Sequence, residues 1–157
     1  MASASAKARK EGKRIAFVPT MGALHEGHLT LIDEAKRKGD IVVMSIFVNA
    51  LQFGPGEDFQ RYPRTLEDDV RLAKSRGVDI VFAPSNEEMY GATPIVTVNP
   101  GSLAKEWEGS ARPNHFQGVL TVVAKLLHIV QPAVAVFGQK DLQQAVIVRA
   151  MVKDLNF

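Results

Sequence analysis

The segment Asp40–Val48, DIVVMSIFV, is almost unbroken apolar sequence, and it is shorter than a typical buried helix. A run of that kind reads as a strand covered on both faces, as parallel strands are. Ile15–Val18, Asp79–Ala83 and Ala133–Phe137 repeat the pattern along the chain. Between them lie segments with helical spacing: Glu26–Lys38, with Leu29, Ile32 and Ala35 on one side, then Thr65–Arg76, Gly118–Val130 and Asp141–Leu155. Thr65-x-x-Asp68 has the form of a capping box opening the second helix. Ile95–Val98 reads as one further strand and Leu103–Glu106 as a short helix. This alternation predicts an α/β fold: a doubly wound, Rossmann-like parallel sheet with helices on both faces. Ligands of such sheets gather beyond the carboxyl ends of the strands. That directs attention to the loops after Val18, Val48 and Phe137.

With 157 residues, 46% of them apolar and 23% charged, the chain suits one soluble domain with a real core. Residues 1–14 read as a basic N-terminal segment, the end of a helix stopped at Gly12-Lys13-Arg14. Residues 15–157 read as the domain. A net charge of +2 with dispersed basic residues gives no reason to expect nucleic acid as partner. The absence of cysteine excludes disulfides, thiolate catalysis and Cys-ligated zinc, and it fits a reducing cytoplasm. No apolar stretch approaches the roughly 20 residues of a membrane span.

The first of the three loops carries the most chemistry. Phe17–His28, FVPTMGALHEGH, ends a strand in a Pro-Thr-Met-Gly turn and opens a helix with two histidines three residues apart. At that spacing His25 and His28 share a helical face. They stand at the positive end of the helix, where free N–H groups and the dipole favour an anion. Gly27, without a side chain, permits close approach to the backbone. Together these features describe a site for the phosphates of a nucleotide, with histidine donors aimed at them. A solvated helix start is the plain alternative. A zinc site is another, although the metalloprotease pattern needs i, i+4 spacing. Met21, taken alone, is as well suited to the core.

In the second loop, Asn49 and Gln52 lie between apolar residues; they can bind a small polar substrate or simply cap loop backbone. In the third, Gly138-Gln139-Lys140-Asp141 offers a turn, a cation for phosphates and a helix N-cap. Gln144, three residues further on, would face the same crevice. Glu67-Asp68-Asp69 are dipole-favoured acids of a first helical turn, or Asp68 and Asp69 hold Mg²⁺ through water beside phosphates. Arg112 and His115 either reach phosphates, gate the site or cap a helix, and Trp107 reads as a half-buried packing residue.

The motifs VPTMGALHEGH, SIFVN-x-x-QFG, RYPRT-x-x-DD, RP-x-HF-x-GV and FG-x-KD-x-QQ occur here in order. Through them the chain resembles the pantothenate synthetases (pantoate–β-alanine ligases) of the His-x-Gly-His nucleotidyltransferases, from about Gly12 to Phe157. The resemblance implies a two-step ligase reaction: pantoate and ATP give pantoyl adenylate and pyrophosphate, and β-alanine then displaces AMP. It implies catalysis by His28, His25 and Lys140. It implies ATP on Met21, Gly22, His25, Gly27, His28, Gly138, Gln139, Lys140 and Asp141. Pantoate would rest on Gln52, Gln144, Met21 and Asn49. Mg²⁺ with ATP, contributions from Asp68 and Asp69, a homodimer and a cytoplasmic location follow in the same way.

The chain departs from the family in having Ala50 where proline is usual and Asn114 where a small residue is usual. The family's serine-rich phosphate loop and C-terminal lid domain are expected after residue 157, outside this sequence. Two other readings stay open: a binding unit with little turnover, and a nucleotidyltransferase for another small substrate. The pair Gln52 and Gln144 speaks against the second.

Overall fold

The computed structural model describes residues 1–91 and 94–157. A basic helix α1 (Ala2–Lys10) leads into strand β1 (Ile15–Thr20), helix α2 (Glu26–Lys38) and strand β2 (Ile41–Ile46). Helix α3 (Leu66–Ser75), strand β3 (Ile80–Phe82), and helices α4 (Asn86–Tyr90), α5 (Trp107–Ala111) and α6 (His115–Val130) follow. Strand β4 (Val134–Ala135) and helix α7 (Leu142–Asp154) complete the chain. The strands form one parallel sheet in the order β3-β2-β1-β4.

Alternation along the central strands divides the core into two layers, since neighbouring side chains of a strand point to opposite faces. Ile15, Phe17 and Val43 pack with α6, α7 and Ala8 of α1. Ala16, Val18, Val42, Met44 and Ile46 pack with Leu29, Ile32 and Ala35 of α2 and Ala73 of α3. The continuous apolar run of β2 is therefore used on both sides, and the sheet is doubly wound. Residues 1–14 do not stand apart: α1 contributes Ala8, 5% exposed, to the core.

The sheet splays where the order reverses. β4 pairs with β1 only at Ala16 and Phe17, and its last bond is from the Val136 amide to the Phe17 carbonyl, 2.9 Å. Peptide groups two residues apart face the same neighbour, so Pro19 turns its nitrogen towards β4 beyond the end of that ladder. A central strand tolerates proline there because no sheet bond is asked of it. The gap thus opened beside Pro19 is the crevice of a topological switch point.

Three sequence expectations are corrected. Ile95–Val98 forms no strand, and Ile95 and Val96 are almost fully exposed. The helix expected at Leu103–Glu106 is divided into a 3-10 turn, Gly101–Ala104, and α5. Trp107 opens α5 with 75% of its surface exposed, which rules out a packing role.

Candidate active site

The three loops singled out in the sequence meet around one cleft of about 630 Å³, within the usual range for small-molecule sites. From the β1–α2 turn come Met21, His25, Gly27 and His28; from the loop after β2 come Asn49 and Gln52. From the turn before α7 come Gly138, Gln139, Lys140 and Asp141, with Gln144 one helical turn beyond. Gly22, Asp68 and Asp69 do not border this space. One wall is apolar, made by Val119, Val122, Val123 and Leu126 of α6 with Phe47 and Phe137.

The two histidines form a reciprocal cap on α2. His25 Nδ1 accepts the Gly27 amide at 3.1 Å, and His28 Nδ1 accepts the His25 amide at 3.4 Å. The rings lie 4.3 Å apart, tilted by 49°. Of the amides expected to be free for an anion, that of Gly27 is taken by imidazole and that of His28 by the His25 carbonyl at 2.8 Å. An Nδ1 that accepts a hydrogen bond carries no proton, so each neutral ring bears its hydrogen on Nε2. The helix end thus exchanges inward amides for Nε2–H donors on rings that line the cleft. Burial, followed by the nearby His25 ring, lowers the His28 pKa below its usual 6.5, with Lys140 adding to the effect and Asp69 opposing it. His28 is accordingly a neutral donor near pH 7.

Gly27 has a specific task. A Cβ at this position would lie 2.8 Å from His25 Cε1, so a side chain would push the His25 ring off its cap. The room that the sequence assigned to a ligand is occupied by the protein's own imidazole.

Asp69 is placed differently from the expected metal role. Its Oδ2 accepts from the Ala23 amide (3.0 Å) and the Thr65 hydroxyl (3.1 Å), and its Oδ1 accepts from the Leu24 amide (2.8 Å). At 3% exposure it clamps the turn that delivers His25, where Gly22 and Ala23 take positive φ of 85° and 51°. Thr65, read as a capping-box residue, instead donates to this carboxylate and makes no cap bond. Asp68 is exposed and ion-paired with Arg71. The two carboxylates are not a chelating pair, and no group of three His, Asp or Glu side chains among the described residues is arranged to hold a metal.

Gln52 is buried with its amide oriented by its neighbours. Its Oε1 accepts from Asn49 Nδ2 at 3.0 Å, and its Nε2 points to Met21 Sδ at 3.2 Å. Nε2 has a second hydrogen, and Gln52 lines the cleft side by side with Met21, so the residue has a donor to offer there. Asn49 is saturated: Nδ2 also donates to the Gly118 carbonyl, while Oδ1 accepts the Tyr90 hydroxyl at 2.6 Å and the Leu51 amide at 3.4 Å. It positions Gln52 and has no polar atom to spare. This contact requires Gly118, because a Cβ there would fall 2.3 Å from the Leu51 carbonyl oxygen.

Sequence reasoning missed Tyr62, which lines the cleft from the loop before α3. Its hydroxyl pKa is raised, chiefly by burial and then by Asp69 and Asp141. It also missed Tyr90 and the α6 wall. Asp141, read as an N-cap, precedes α7 without a side-chain cap bond. His115 is buried and Arg112 is ion-paired, and neither is among the residues lining the cleft.

The family model described as pantoate-beta-alanine ligase matches residues 1–157. The chain belongs to the pantoate-beta-alanine ligase family. It is 59% identical over 149 residues to the pantothenate synthetase of Saccharopolyspora erythraea, covering 94% of this chain and 49% of that one. It is 60% identical to that of Desulfitobacterium hafniense strain DCB-2, covering 95% and 53%. The crystal structure of the Thermus thermophilus pantothenate synthetase superposes with a TM-score of 0.89 at 52% identity, covering 98% of this chain and 56% of that one. The Francisella tularensis pantoate-beta-alanine ligase, solved in complex with beta-gamma ATP and beta-alanine, gives a TM-score of 0.88 at 44% identity, over 92% and 56%. The ligase-family chain thus spans about half the length of the curated relatives it matches.

Proposed function

We propose that this chain carries the nucleotide- and pantoate-binding half of an ATP-dependent ligase that joins pantoate to β-alanine through pantoyl adenylate. The observation carrying this reading is that His25, His28, Lys140, Gln52 and Gln144 converge on a single cleft at the switch point of the sheet. Adenylyl transfer asks for fixed donors around a phosphate whose charge is spreading, with no protein nucleophile. The Nε2–H groups of His28 and His25 and the ammonium of Lys140 meet that demand, and Met21, Gly27 and Gly138–Asp141 complete the ATP site, while Gly22 shapes the turn behind it.

Gln52 and Gln144 hold pantoate by its hydroxyl and carboxylate, with Met21 and Asn49 beside them. Held there, the pantoate carboxylate attacks the α-phosphorus and pyrophosphate departs. The free amine of β-alanine then attacks the acyl carbon, and AMP leaves. Positioning accounts for much of the second step, since an amine against an activated acyl group needs little further help. Asp68 and Asp69 do not fit a metal role, so Mg²⁺ would come with ATP and would supply positive charge to its phosphates. A homodimer in the cytoplasm belongs to the same proposal, supported by the family resemblance.

The deciding measurement is pyrophosphate release from ATP that requires pantoate, followed by AMP release that requires β-alanine. Protection of the fold by ATP without either release would replace the ligase reading with that of a binding unit. Loss of both protection and release would remove it.

A further inference from the structure

Below the substrate-facing side of Gln52 lies a chain of contacts that the proposed chemistry does not use. Arg112 meets Glu57 in a two-pronged ion pair, Nε to Oε1 at 2.8 Å and Nη2 to Oε2 at 2.9 Å. Its remaining Nη1 donates to Glu108 Oε1 at 2.9 Å and lies 3.2 Å from His115 Nε2. On the other side of the ring, His115 Nδ1 lies 2.9 Å from the carbonyl oxygen of Gln52. Glu57 Oε2 also accepts the Gly54 amide at 3.0 Å, so the series closes back on the loop that carries Gln52.

The protonation of His115 follows from its partners. A carbonyl only accepts, so Nδ1 carries the hydrogen; a guanidinium only donates, so Nε2 presents its lone pair. The ring is therefore neutral and of one tautomer, with Glu108 Oε1 3.8 Å from Nε2 as the remaining charged neighbour. His115 is 6% exposed, and the Arg112 and Glu57 side chains are each 30% exposed. Partly shielded, bidentate pairs of this kind fix geometry more firmly than exposed ones. The arrangement spans the loop after β2, α5 and the first turn of α6, joining residues 55 and 63 positions apart.

We infer that Glu57, Arg112 and His115 are positioning residues that set the backbone of Gln52, and through it the donor offered to pantoate. The inference rests on the pantoate reading of Gln52. Asn49 orients the side-chain amide, and His115 holds the peptide carbonyl. Once Arg112 no longer donates to the Nε2 lone pair, His115 is free to change tautomer and release the Gln52 carbonyl.

The test uses this chain, with pantoate and ATP binding measured separately by calorimetry and the ¹⁵N shifts of His115 recorded by NMR. Arg112→Met is expected to weaken pantoate about tenfold, the equivalent of one hydrogen bond. ATP affinity is expected to stay within about twofold. The His115 ring should pass from the Nδ1–H tautomer to a mixture. His115→Asn, whose amide can still donate to the Gln52 carbonyl, is expected to retain pantoate binding better than His115→Leu. Equal loss of pantoate and ATP, or pantoate binding unchanged in Arg112→Met, would overturn the positioning role. A parent chain that does not bind pantoate would overturn the pantoate reading instead, while the tautomer of His115 would still report on the relay.

Discussion

An imidazole whose Nδ1 already accepts a backbone N–H has one donor left, and His28 is held in that state. Preorganised donors of this sort are worth about 10²–10³ in rate when they face charge that develops in the transition state. His28→Ala is therefore expected to lower pantoate-dependent pyrophosphate release by that factor, read in a coupled pyrophosphate assay; an unaffected rate would remove His28 from the mechanism. Asp69 is the second decisive side chain. Its two oxygens accept two backbone amides and a hydroxyl, and an amide in its place cannot accept on both sides. Asp69→Asn should cost about 1–3 kcal/mol through an unsatisfied buried amide, measured by urea unfolding. A metal ligand would give another result: weakened Mg²⁺ dependence with the fold intact.

At the scale of the element, α2 shows how much of the site could be read in advance. Its range, its apolar face and its paired histidines follow from contacts within a few residues, which sequence spacing encodes directly. The role of Gly27 was only half legible, because the ring that needs the space sits two positions earlier and its fold-back is a matter of rotamer. Gly27→Ala sets two effects against each other. Alanine gains up to about 1 kcal/mol of helix propensity, and expulsion of the His25 ring forfeits about as much from the cap. The melting temperature should thus move little while ATP affinity falls, and unchanged ATP binding would refute the assigned geometry.

The links that sequence spacing could not supply are long-range ones. Asp69 meets Leu24 across 45 residues, Tyr90 meets Asn49 across 41, and His115 meets Gln52 across 63. Each of these side chains has an ordinary local explanation, and only the packing of loops onto α3, α4 and α6 reveals the other. Ile95–Val98 failed for the converse reason: strand-like composition has no effect without a neighbouring ladder.

For the whole molecule, acid should act on stability in two successive windows. His28 has a depressed pKa in the fold, so the unfolded chain takes up its proton first, and stability falls as the pH drops through the region below 6.5. Glu57 is held at about 2, against a usual 4.5, first by hydrogen bonding to Arg112 and then by the Gly54 amide. Its contribution is complete above 4.5 and is lost as the pH falls towards 2. Asp33, Glu34 and Glu88 are lowered as well, by Arg76, by Arg37 and by the Ser85 cap respectively, so part of the acid slope is spread over the surface. Glu57→Gln removes one titrating group and the ion pair together. Its urea midpoint should be lower than that of the parent at pH 7, and the two curves should converge as the pH approaches 2. Curves that stay parallel throughout would show that the Glu57–Arg112 pair does not bind this loop to the body of the domain. Because that pair also leads to His115 and Gln52, the convergence carries information about the site as well as the fold. The loop that presents Gln52 should lose its hydrogen-exchange protection over the same interval in which the two curves meet, and the Glu57→Gln chain should lack that protection already at pH 7.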